Sequence, residues 1–193
     1  MNKSKRKNAS LNVAYHEAGH AVASWWLDSA TDYDLSFEYV TIVPNDHSVG
    51  HMRYETMPTL AEDNLEDDPK LRDYTERMII IIFAGFVAEK RFTGRGNHVG
   101  ADHDFRNAHA LATQFQQTDE CQAAYMKWLF KRSEALIDRF WPYVEELAKQ
   151  LHQRQTLSWA ESLQILVAHT NALYGFDELQ LLEGVLNATT RSR

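Results

Sequence analysis

The sequence predicts a mainly α-helical fold with a small β-hairpin or sheet near residues 37–54. Three observations carry that expectation. Apolar and small residues recur at helical spacing over several long stretches. Residues 78–88 are apolar on every side, interrupted only by Gly85. Two runs of aromatic and β-branched residues flank the turn-like Pro44-Asn45-Asp46-His47.

The chain opens with a basic segment, Lys3-Ser4-Lys5-Arg6-Lys7, which reads as a flexible solvated tail over residues 1–10 and lacks the apolar stretch of a signal peptide. A helix is expected from about 8 to 27, capped by Ser10 or Asn8, with Val13, Ala14, His16, His20, Ala21 and Ala23 on its buried face. Gly19 interrupts that face, and a helical glycine costs about 1 kcal/mol relative to alanine, so something should pack close to the backbone there. Residues 37–43 and 49–54 form the expected hairpin. The acidic cluster Glu62, Asp63, Glu66, Asp67 and Asp68 reads as a solvated loop or the polar face of a short helix.

Asp68-Pro69 starts a second helix, which should run to about Phe92 before Gly94 and Gly96 end it, and its apolar second half belongs at the centre of the domain. Phe105, Ala108, Leu111, Ala112 and Phe115 mark a third helix starting near Asp102 or Asp104. Residues 119–151 are helical again with a break at Trp141-Pro142. Ser158-Trp159-Ala160-Glu161 has the form of a capping box for a helix to about 168, and Asp177 is placed to cap a last helix through 185. The expected organisation is a core over residues 11–118 and a helical C-terminal part of the same domain over 119–193.

Composition limits the partners. With 20 basic and 27 acidic residues the net charge is −7, which argues against nucleic acid and anionic membranes as main partners. Hydrophobic residues at 44% and charged residues at 24% fit a soluble globular chain. The single cysteine, Cys121, excludes an internal disulfide and a thiolate metal cluster; the expected address is cytoplasmic, and the thiol reads as an inert small apolar residue. The longest apolar run is about half of the ~20 residues that span a bilayer, so no membrane span is expected.

His16-Glu17-Ala18-Gly19-His20 carries the chemistry. On a helix, the i, i+4 spacing puts both imidazoles on one face, where two nitrogens can hold one Zn²⁺. Glu17 is turned roughly 100° from His16, so it should reach a water beside the metal rather than the metal itself, and can act there as a general base. A catalytic zinc usually takes a third protein ligand. The residues leave Asp102, His103, Asp104, His98, Glu89 and Glu55 as candidates. His47 and His51 flank the hairpin and are more simply solvated than functional. Trp25, Trp26, Trp128, Trp141 and Trp159 read as core or rim residues.

Four segments together resemble the peptidase domain of the FtsH-type ATP-dependent zinc metalloproteases. They are Ala14-Tyr15-His16-Glu17-Ala18-Gly19-His20-Ala21-Val22, Tyr39-Val40-Thr41-Ile42-Val43-Pro44 with Val49-Gly50-His51, Ala84-Gly85-Phe86-Val87-Ala88-Glu89, and Gly100-Ala101-Asp102-His103-Asp104-Phe105-Arg106-Asn107-Ala108. The resemblance covers roughly residues 11–118. It implies a helical zincin-like metallopeptidase fold, zinc ligation by His16, His20 and Asp104, Glu17 as catalytic base, and a strand edge near residues 40–43 for an extended substrate.

The sequence departs from that family in having Ala84-Gly85 for paired glycines, Phe86 for an arginine, and Asp102 and His103 beside the third ligand. It contains no GxxxxGK[ST] phosphate loop, so ATP-driven unfolding is not expected of this chain alone. The implied activity is a zinc-dependent endopeptidase acting on unfolded proteins or peptides, as a monomer or small homo-oligomer, with a separate ATPase as a further partner. A non-catalytic zinc-binding regulator of the same fold and a hydrolase of small amides are the alternatives.

Overall fold

The computed structural model describes residues 3–28, 35–45, 48–54, 69–115 and 118–174. The elements run α1 (Lys3–Asp28), β1 (Phe37–Thr41), β2 (His51–Tyr54), α2 (Pro69–Thr93), α3 (Asp102–Thr113), α4 (Asp119–Arg139), α5 (Trp141–Arg154), β3 (Thr156–Ser158) and α6 (Trp159–Tyr174). The fold is therefore mainly α with a small antiparallel sheet. The acidic cluster at 62–68, His47, Glu55 and the helix expected after Asp177 lie outside the described residues.

Helix α1 starts at Lys3, ahead of the expected start near residue 8, so the backbone of the basic segment is helical. Ser10 consequently lies inside the helix, where its hydroxyl meets His152 Nδ1 at 3.4 Å instead of capping. Helix α2 is the central element, as an all-round apolar helix must be. Ile79, Ile80, Ile81 and Phe83 are buried, and α1, α3 and α4 pack around them. Leu129, Ile137, Leu147 and Leu151 are fully buried in the same core, so α4 and α5 help to enclose the first two helices. Each such side chain removed from water is worth about 1.5–3 kcal/mol.

Element ends follow local chemistry. Gly94 takes φ +71 and donates its N–H to Lys90 O at 2.9 Å, closing α2 in a conformation that glycine adopts without strain. Helices α4 and α5 meet at Phe140, and Pro142 occupies the first turn of α5, where its missing N–H has no cost. Thr118 caps α4 by accepting from Cys121 N. Ser158 and Glu161 form the expected capping box: Glu161 Oε2 accepts from Ser158 N at 2.8 Å, and Ser158 Oγ accepts from Glu161 N at 3.3 Å.

The sheet order is β2-β1-β3, with Val40 opposite Met52 on one side and Leu157 on the other. This corrects the expected substrate edge. Both sides of β1 are paired through Thr41, and beyond it Ile42 N donates to Gln155 O at 2.9 Å, so Val40 and Thr41 offer no free edge. Strand β3 is three residues long, too short to announce itself by alternation, and it joins β1 from far along the chain. Among the described residues no helix is long and apolar enough to cross a membrane.

Candidate metal centre

Small residues bring α1 and α2 together. A Cβ added at Gly19 would lie 2.7 Å from Ala88 Cβ and would collide with the Ala84 carbonyl, so only glycine admits this crossing. The crossing places His16 and His20 against α2, and α3 brings Asp104 to the same point. One donor atom from each of these three residues lies within 4.8 Å of the others. Asp104 Oδ2 stands 3.0 Å from His16 Nε2 and 3.6 Å from His20 Nε2. Ligands about 2.0–2.2 Å from a tetrahedral zinc stand roughly 3.3–3.6 Å apart; the 3.6 Å spacing falls in that range and the 3.0 Å one would open slightly around an ion.

The far side of each imidazole is held. His20 Nδ1 donates to Ile81 O at 2.7 Å, and His16 Nδ1 donates to Glu89 Oε2 at 3.3 Å. With both Nδ1 atoms donating to acceptors, a ring that gives up its other proton, as a metal ligand must, presents its lone pair on Nε2, on the side of Asp104. Glu89, one of the candidate ligands, thus stands behind His16 rather than beside the metal position.

Asp102 is exposed and pairs with Arg106 at 3.0 Å, His103 meets Asn107 at 3.1 Å, and the exposed His98 packs on Phe86 and Phe105. None of the three joins the His16–His20–Asp104 group. Neither aspartate caps α3 through its side chain. His51 meets Tyr39 and Asn45, fastening the hairpin.

Glu17 is 4% exposed, and its Oε2 has no hydrogen-bond partner among the described residues. Burial pushes its pKa up, and Asp104 and Glu89 add to that against the opposing fields of His16 and His20. Burial opposes the charged form of His16, yet hydrogen bonds to Asp104 and Glu89 outweigh it and hold its pKa up at about 10. Burial likewise works against the Asp104 carboxylate, but hydrogen bonds from His16 and His20 prevail and lower its pKa. Two imidazole nitrogens and a carboxylate converging at one point supply donors for a cation, and an unpartnered oxygen beside them favours a water. The donor set therefore fits Zn²⁺.

Two contacts had no signal in the sequence. Gly50, just before β2, abuts the acid: a Cβ there would lie 2.7 Å from Glu17 Oε1 and 2.6 Å from Val13 Cγ1. Gly85 faces His20, and a Cβ there would run into the imidazole, 2.6 Å from Cε1.

The chain is similar to several known proteins. The mitochondrial inner membrane m-AAA protease component AFG3L2 of Mus musculus is 33% identical over 143 residues, 72% of this chain and 16% of that protein. The chloroplastic ATP-dependent zinc metalloprotease FTSH of Capsicum annuum is 31% identical over 117 residues, 57% of this chain and 16% of the other. For the ATP-dependent zinc metalloprotease FtsH of Karelsulcia muelleri (strain DMIN) the figures are 35% over 65 residues, 33% and 10%. The chain thus matches only a small part, 16% or less, of each of these relatives. Residues 2–119 match the profile of Peptidase family M41, which takes in α1 to α3 with all three donors and Glu17. The chain belongs to peptidase family M41.

Proposed function

We propose that this protein is a zinc-dependent endopeptidase in which His16, His20 and Asp104 hold Zn²⁺ and Glu17 is the general base. The observation that carries the proposal is the buried Glu17 carboxylate, with one oxygen unpartnered among the described residues, beside three converging donors. When bound, zinc supplies a Lewis acid that polarises a carbonyl and brings the pKa of water to about 7. Glu17 takes a proton from the attacking water and delivers it to the leaving amine. His16 and His20 keep their Nε2 atoms toward the ion because Glu89 and Ile81 O hold the opposite nitrogens.

An extended, unfolded substrate is placed along β2. Among the described residues β2 pairs on one side only, and Gly50 at its start lies against Glu17. Backbone pairing to such an edge needs an unfolded chain and little sequence preference. Relatives are named as ATP-dependent. The residues of this chain contain no phosphate loop, so any ATP-driven delivery of folded substrates would come from an ATPase outside them.

The test compares wild type with Glu17→Gln on an unstructured protein such as casein, with metal content measured for both. Wild type should cleave and lose activity to a chelator, while Glu17→Gln keeps its zinc and loses about 10²–10⁴-fold in rate. Equal cleavage by both forms overturns the role of Glu17. Zinc bound by both with no cleavage by either overturns the peptidase reading and favours a zinc-stabilised regulator.

A further inference from the structure

Asn97 lies in the connection between α2 and α3 and bonds in three directions. Its Nδ2 donates to Glu89 Oε1 at 3.1 Å, its Oδ1 accepts from Gly100 N at 3.0 Å, and its backbone carbonyl accepts from Ala101 N at 3.1 Å. The side-chain orientation is forced by its partners. A flipped amide would turn its oxygen toward a carboxylate and its NH₂ toward an N–H, and both contacts are repulsive. The amide lies flat on Gly100, where an added Cβ would stand 3.0 Å from Asn97 Cγ and closer still to Nδ2.

Glu89 is 6% exposed, and its two oxygens divide between two partners: Oε2 takes His16 Nδ1–H and Oε1 takes the Asn97 amide. A buried carboxylate with one oxygen unpaired would be costly and free to swing, and the imidazole leaning on it would swing too. The turn that Asn97 closes with Gly100 and Ala101 leads directly into α3, and Ala101 O accepts from Phe105 N at 3.0 Å, next to Asp104. We propose that Asn97 is a positioning residue for the metal centre: one amide fastens both the carboxylate behind His16 and the turn that delivers Asp104. Two of the three ligand arms are thereby held in register by a side chain that touches neither ligand. This rests on the metal-centre reading above.

The test is zinc affinity, measured by chelator competition on wild type, Asn97→Asp, Glu89→Gln, the double variant, and His16→Ala as a reference lacking a ligand. Asn97→Asp keeps an oxygen for Gly100 N but removes the donor to Glu89, and should weaken zinc binding about tenfold, within the range for outer partners of metal ligands. In the Glu89→Gln background the same exchange should cost little. The amide introduced at position 89 can donate to the new carboxylate while its oxygen still accepts from His16 Nδ1–H. A role confined to loop shape predicts equal losses in both backgrounds, and that result, or no loss in either, overturns the proposal. If wild type holds zinc no tighter than His16→Ala, the metal-centre reading itself fails and this inference with it. Tight wild-type binding that Asn97→Asp leaves unchanged rejects the role of Asn97 alone.

Discussion

Exchanging Gly85 for alanine should separate metal binding from folding. The new Cβ would stand 2.6 Å from His20 Cε1 and 2.8 Å from Cδ2, about 1 Å inside the ordinary carbon–carbon contact of about 3.5–4.0 Å. The ring cannot retreat freely, because its Nδ1–H is bonded to Ile81 O at 2.7 Å. Overpacking of this kind costs about 1–3 kcal/mol, while alanine returns about 1 kcal/mol of helix preference, so the metal-free variant should lose only about 0–2 kcal/mol. Zinc coordination is less forgiving, since ligand distances must hold to about ±0.2 Å. Moving His20 by about 1 Å therefore removes it from the site, and zinc affinity should fall by more than the 10–100-fold typical of an outer partner. Chelator competition gives the affinity, and urea unfolding of the chelator-treated protein gives the stability. A variant binding zinc within about threefold of wild type would refute the reasoning, as would one whose stability collapsed in step with its affinity.

Other outcomes follow from single residues. Asp104→Ala removes the acid facing both Nε2 atoms, so zinc affinity should fall more than 100-fold while circular dichroism shows α3 retained; full metal content would reject Asp104 as a ligand. Gln155 ends α5 at φ 69, where a side chain is strained, and Gln155→Gly should raise stability by about 0.5–1 kcal/mol in urea unfolding; a loss would show that the side chain contributes something the strain argument omits. Glu161 in the capping box has its pKa lowered by backbone and side-chain hydrogen bonds from Ser158. A carboxyl depressed on folding adds stability above its ordinary value of 4.5 and loses it as pH falls through the folded value. The stability gap between wild type and Glu161→Ala should therefore be present at neutral pH and close in acid; a gap independent of pH would contradict it.

Residues 16–20 made the site legible because helical geometry alone converts an i, i+4 pair into two converging imidazoles. The all-round apolar stretch around Ile79–Ile82 announced the central helix, and Ser158 with Glu161 announced the start of α6, because in each case the cause is local in sequence. The third donor was different. Spacing left six candidates, and the resemblance selected Asp104, which meets the histidines only through the packing of α3 on α2.

Most of what escaped is non-local. β3 takes the side of β1 that looked free, through contacts more than a hundred residues apart. Gly50 against Glu17, Gly85 against His20 and Asn97 on Glu89 depend on how helices and turns approach one another, and no residue pattern encodes that approach directly. The early start of α1 at Lys3 shows the limit of reading a helix end from a favourable cap such as Ser10.

The most direct measurement is zinc X-ray absorption on the purified protein loaded with one equivalent of metal. Two imidazole nitrogens at about 2.0–2.1 Å, with the remaining ligands oxygen, are expected, and the imidazole signal should halve in His20→Ala. A shell of oxygens alone, or a spectrum unchanged by His20→Ala, would contradict a metal centre built from His16, His20 and Asp104.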